Sequence, residues 1–162
     1  MKFVTTLATC LLTATAIGTA HAQQPTKPLK PVEPPVIVSE AWIKTTIPGG
    51  SVSAAYMRIQ SPVALKLLKV EGSIAGDIQI HDMKMNDGVM EMKALDSVDI
   101  PAGQMVELKP GGKHVMLMQL AKPIHKGDKV PLKLVFESAD KKKITVHVDA
   151  TARENAGKAK AH

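Results

Sequence analysis

Apolar and polar residues alternate with a period of two over much of this chain. Val130, Leu132, Leu134 and Phe136 alternate with Pro131, Lys133, Val135 and Glu137, and Ile144, Val146 and Val148 alternate with Thr145, His147 and Asp149. Successive side chains of a strand point to opposite faces, so each run predicts a strand with one face on a core. Ala54–Gln60, Leu65–Val70, Asp77–Met85, Met105–Lys109 and His114–Leu120 read as further strands, the last two flanking Pro110-Gly111-Gly112 as a predicted hairpin. Turn residues separate the runs at Gly49-Gly50, Gly72, Gly103, Gly127-Asp128 and Ala139-Asp140. No window carries a 3.6-residue apolar stripe, and there is no internal repeat. The expected class is all-β, an antiparallel β-sandwich or barrel.

The ends of the chain read differently. Lys2 followed by the uncharged, largely apolar Phe3–Ile17 and then Ala20-His21-Ala22 has the form of a secretory leader, so residues 1–22 are expected to be removed on export. The stretch falls short of a spanning helix of about 20 apolar residues, and stable membrane insertion is not expected. Leu7-Ala8-Thr9-Cys10 only faintly resembles an acylation site, because apolar residues continue past it. Cleavage after Ala22 leaves no cysteine, and with it no disulfide, thiolate metal site or redox thiol. Cleavage after Ala20 would instead leave His21 as an N-terminal chelator of Cu(II), but the small residues favour the site after Ala22. Residues 23–36 carry five prolines (25, 28, 31, 34 and 35) and form an expected linker. Residues 37–150 are the expected domain, and residues 151–162 an expected disordered tail without a core pattern.

Charge narrows the partners. The chain carries a formal +6, one less without Lys2. The lysines are scattered, and the exported chain has only Trp42, Tyr56 and Phe136 as aromatics. Nucleic-acid binding needs a basic face, often with stacking rings, so it is not expected. The basic surface could steer an acidic protein partner.

Candidate chemistry lies in the methionines. Seven of the nine fall between positions 83 and 118. With Asp87-Gly88 as a two-residue hairpin turn, residue 85 faces 90, 83 faces 92 and 81 faces 94. His81, Met83, Met85, Met90 and Met92 then share one sheet face, and Asp82, Lys84, Glu91 and Lys93 the other. His81 and Met92 become diagonal neighbours within reach of one ion. Ile78 and Ile80 have the opposite parity, so either the strand leaves the core near Ile80 or a bulge re-aims it. His114 and Met116, two apart on a strand, point to one face and can converge on the same ion.

Donor chemistry then selects the metal. Thioethers are soft, neutral ligands unsuited to Mg, Ca or Mn, and imidazole is borderline. Two of each suit Cu(I). A blue-copper electron-transfer centre needs a thiolate, which the exported chain lacks. Only the two histidines should make affinity depend on pH.

The spacing His81, ten residues, Met92, twenty-one residues, His114, one residue, Met116 resembles the signature of the periplasmic Cu(I) chaperones called PCuAC proteins. Asp87-Gly88-Val89-Met90 and Glu107-Leu108-Lys109-Pro110-Gly111-Gly112 are similar to that family too, and the likeness covers about residues 37 to 138. The resemblance implies a cupredoxin-like β-sandwich in the periplasm. It also implies one Cu(I) held by His81, Met92, His114 and Met116 and delivered to a respiratory cytochrome oxidase, typically its CuA centre, or to another assembly factor. A monomer without catalytic chemistry is expected, and a copper-tolerance buffer is the alternative role. No second site comes from the tail, which has only His162.

The remaining candidates read as structural. Met57, Met105 and Met118 are expected core filler, since thioethers pack irregular gaps. Met83 and Met85 could serve as packing residues, supporting neighbours or alternative donors during transfer. Trp42 and Tyr56 are expected in the core, His125 and His147 on the surface, and Lys141-Lys142-Lys143 at a hairpin tip. Neither a hydrolytic triad nor a phosphate-binding loop is evident.

Overall fold

A computed structural model describes residues 36–154. The strands are β1 (Ile37–Lys44), β2 (Ser53–Gln60), β3 (Leu65–Glu71), β4 (Ala75–Asn86), β5 (Val89–Leu95), β6 (Val98–Ile100), β7 (Met105–Leu108), β8 (His114–Leu120), β9 (Lys129–Ser138) and β10 (Lys143–Arg153). They join one sheet in the order β5-β4-β8-β2-β1-β10-β9-β3-β6, with β7 also on β2. Every pairing is antiparallel except β1 with β10. The all-β expectation holds, with that one parallel junction as the difference. Among the described residues no helix is long and apolar enough to cross a membrane. The predicted leader, most of the predicted linker and the last eight residues lie outside the described residues.

The sheet closes around a single core. Phe136, Leu134 and Leu132 of β9, Leu67 of β3 and Ile100 of β6 meet Ile43 of β1, Met57 and Ile59 of β2, and Val115 and Leu117 of β8 in one buried cluster. These strands come from both halves of the strand order, so the sheet folds its apolar face on itself. Gly72 marks one point of closure: a Cβ there would stand 3.1 Å from the Leu132 side chain and 3.4 Å from that of Ile78.

Several local expectations change. β7 and β8 do not pair as a hairpin; they lie end to end along β2, with Met57–Gln60 on β7 and Ser53–Ala55 on β8. Between them a tight turn closes with Gly112 N–H donating to Lys109 C=O at 3.1 Å. The predicted tail starts too early, because Thr151–Arg153 continue β10 and pair with Trp42–Lys44. Met57 is core as expected, but Met105 is 52% exposed, and Met118 is half-buried on the outer face. Lys141–Lys143 do close the β9–β10 hairpin, with Lys141 at φ 64°.

β4 positions the chemistry. Its register is continuous through Ile78, Ile80, His81 and Met83, so no bulge is present there. Ile78 and Ile80 pack on the core while their neighbours Gln79 and His81 face outward. The Asp87-Gly88 turn has both residues at positive φ (48° and 81°), as a two-residue hairpin of this hand requires. Leu117 anchors β8 beneath the outward residues and is fully buried. Leu117→Ala should therefore cost about 2–5 kcal/mol in urea denaturation; a loss under about 1 kcal/mol would contradict this core.

Candidate metal centre

β4 and β8 run antiparallel with His81 directly opposite His114. Their rings stand edge to face, 5.9 Å between centroids and 67° apart. Neither is a core residue by parity, yet His114 is only 3% exposed, because β4 and the aromatic Tyr56 of β2 flank it.

Hydrogen bonds decide which nitrogen of each ring is free. His114 Nδ1 lies 2.9 Å from the Gly112 carbonyl oxygen, which can only accept. The proton sits on Nδ1, and the Nε2 lone pair is left for a ligand. The same carbonyl accepts from Met83 N–H at 3.2 Å, tying β4 to the turn before β8. At His81 the arrangement is reversed. Gln79 Nε2 donates to Asp77 Oδ2 at 2.8 Å, which turns Gln79 Oε1 toward His81 Nε2 at 3.0 Å. Nε2 therefore carries the proton. His81 Nδ1 is buried with no partner, alone in this among the described side-chain nitrogens and oxygens. A buried acceptor left unpaired costs about 1–3 kcal/mol, and a bound cation would satisfy it.

The thioethers surround this pair unevenly. Met116 follows His114 on the same face of β8, opposite Gln79 and Ala54, and is half-buried. Met92 on β5 faces Met83 of β4, diagonal to His81, and is 47% exposed. The fold thus brings His81, His114 and Met116 onto one continuous patch and leaves Met92 at its open rim. Met83 sits two residues from His81, between that histidine and the hairpin tip.

Trp42 and Tyr56 are a correction to expectation. Both are half-buried on the outer face rather than in the core, and their rings stack at 4.3 Å with 29° between planes. Tyr56 in turn stands 6.3 Å from the His114 ring. The stacked pair thus flanks His114 through Tyr56, and burial pushes the Tyr56 hydroxyl pKa up. His125 and His147 are on the surface as expected. Gln79 and Asp77 were not singled out from the sequence, although their outward parity with His81 was there to be read.

Burial and then the charge of His114 lower the pKa of His81, against a smaller opposing pull from Asp77. His81 therefore stays a neutral, ligand-ready imidazole at lower pH than an ordinary histidine. Among the described residues no group of three or more His, Cys, Asp or Glu side chains is placed to hold an ion. A cleft of about 330 Å³ lies elsewhere, between Leu65, Asp99, Pro101 and Ser138.

The LpqE-like family, described as lipoproteins, has a model that matches residues 36–148. The chain belongs to the LpqE-like family. Lxx21020 of Leifsonia xyli subsp. xyli, which bears a lipoprotein name, is 32% identical over 150 residues, 89% of this chain and 87% of its own length. The apo PCuAC domain from PmoF1 shares the fold with a TM-score of 0.60 and 25% identity over 74% of this chain and 94% of that domain. Apo-DR1885 from Deinococcus radiodurans gives a TM-score of 0.56 and 27% identity over 96% and 97% of the two chains. Its copper(I) form gives 0.54 and 27% over 74% and 78%. The PCuAC resemblance and the cupredoxin-like β-fold are thereby borne out for this LpqE-like protein.

The ring states are directly measurable. Long-range ¹H–¹⁵N spectra of the metal-free LpqE-like protein near pH 7.5 should show Nδ1–H at His114 and Nε2–H at His81, with Gln79→Leu mixing the His81 tautomers only. His81 should titrate below the ordinary histidine range. Its folded pKa is depressed, so the unfolded chain binds more protons in the window beneath that range. The His81 contribution to stability is therefore complete above the window and lost as pH falls through it. A His81 midpoint above the ordinary range would contradict the buried, paired ring.

Proposed function

We propose that this LpqE-like protein is an exported copper chaperone that holds one Cu(I) through His81, Met92, His114 and Met116. The observation that carries this reading is the pairing of two imidazoles with free lone pairs, one of them orphaned, beside thioethers on one sheet face. Two neutral nitrogens and two soft sulfurs suit a monovalent soft cation and offer no hard oxygen to a competing divalent one. The copper(I) form of the related DR1885 supports the same cargo.

The site also has the asymmetry a carrier needs. His114 is sealed, Met116 half-buried and Met92 open to solvent. Cu(I) can arrive and leave by exchange at the thioether rim while the histidines hold it. The acceptor fitting the family resemblance is a respiratory cytochrome oxidase, at its CuA centre, or an assembly factor that feeds it. The reading involves no catalytic step. Residues 1–22 direct export to the periplasm. The lipoprotein names of the family favour acylation of Cys10 as a second reading, and the intact mass of the exported protein separates the two.

The test is an anaerobic Cu(I) titration of residues 23–162 against a competing chelator, beside a His114→Ala/Met116→Ala variant. Wild type should bind one ion tightly, and the variant should lose at least about a hundredfold in affinity, about 2.7 kcal/mol. Equal affinity in the two proteins would overturn the donor assignment.

A further inference from the structure

We propose a second, more weakly binding Cu(I) site at the tip of the β4–β5 hairpin, made of thioethers alone: Met85 and Met90 with Met83 as third donor. It extends the proposed cargo to a separate set of residues.

The last β4–β8 pair is His81 with His114, but β4 runs on to Asn86. Met83 makes one further bond to Gly112, and beyond it β4 and β5 form a two-stranded ribbon. On this ribbon Met85 faces Met90 and Met83 faces Met92, all on the His81 face. Met85 is 64% exposed and Met90 60%. Methionine usually fills gaps between packed layers, and among the described residues no layer covers this ribbon. Apart from Val89, the other face of the ribbon is polar: Lys84 reaches Asp82, and Asn86 Nδ2 donates to Glu91 at 2.8 Å, bracing the turn. Apolar packing therefore does not explain why soft donors are spent at the tip.

Cation binding does. Directly opposed residues of an antiparallel pair have Cβ atoms about 4.5–5.5 Å apart, and diagonal ones about 7–8 Å. Flexible side chains of methionine length can close on one ion from Met85, Met90 and the diagonal Met83. Three neutral thioethers make a Cu(I)-selective set. Met83 is also two residues from His81 and faces Met92, so it borders both sites. An ion taken at the tip can pass inward by exchanging one thioether at a time, and leave by the reverse route.

The exported chain labelled with [methyl-¹³C]methionine, titrated anaerobically with Cu(I), tests this. The first equivalent should shift the Met92 and Met116 methyl signals, and the second those of Met85 and Met90. Met85→Leu/Met90→Leu keeps the apolar bulk and should weaken the second equivalent by at least about tenfold while leaving the first unchanged. In His114→Ala/Met116→Ala the Met85 and Met90 shifts should persist. That result would support the tip even if wild type lacked the histidine site. Static Met85 and Met90 signals through the second equivalent, or a second binding step indifferent to the leucine pair, would overturn the proposal. So would movement of Met85 and Met90 in step with Met92 and Met116 that disappears in His114→Ala/Met116→Ala, which would mean a single site.

Discussion

The burial of Ile80 opposite Val115 and the meeting of His81 with His114 are one constraint seen from two sides of the sheet. Both pairs belong to the same β4–β8 ladder, one residue apart. Because side chains alternate, a one-residue slip of β4 would turn Ile78 and Ile80 to solvent and His81 to the core, away from His114. The hydrophobic effect on the inner face therefore sets the register that puts two imidazoles side by side on the outer one. No separate force is needed to assemble the pair.

What the backbone then adds is specificity at single atoms. One carbonyl, Gly112, accepts from His114 Nδ1–H and from Met83 N–H, so the turn before β8 sets a tautomer and is tied to β4. A chain of outward side chains along β4, Asp77 to Gln79 to His81, does the corresponding work on the other ring. Each imidazole has one nitrogen spent on orientation and one held in reserve. Exposure then rises from His114 through Met116 to Met92 and the hairpin tip. That gradient matches a carrier, which must hold its ion and still present it.

Much of this was legible in the residues. The β4–β5 register follows from Asp87-Gly88 alone, since a two-residue turn leaves one pairing, and the structure has that pairing. The opposite parity of Ile78 and His81 needed no bulge; a strand at a sheet surface serves core and site with alternate residues. β1 was harder to read, because its register shifts between Ser39 and Trp42 and Glu40 has φ 50°, which breaks the alternation. The pairing of β7 and β8 with β2 rather than with each other is a long-range choice that a local Pro-Gly-Gly signal cannot report. Trp42 and Tyr56 were misplaced for a related reason. Large aromatics default to the core, and only their stacking across β1 and β2 shows them on the outer face, with Tyr56 beside His114.

The central claim is that two imidazoles and two thioethers, brought together by this register, form a single Cu(I) site. X-ray absorption of the protein loaded with one equivalent of Cu(I) addresses it directly. The account predicts nitrogen and sulfur neighbours in equal number around the metal, with the sulfur contribution reduced in Met116→Ala. A first shell of oxygen and nitrogen alone, or one indifferent to Met116→Ala, would contradict it.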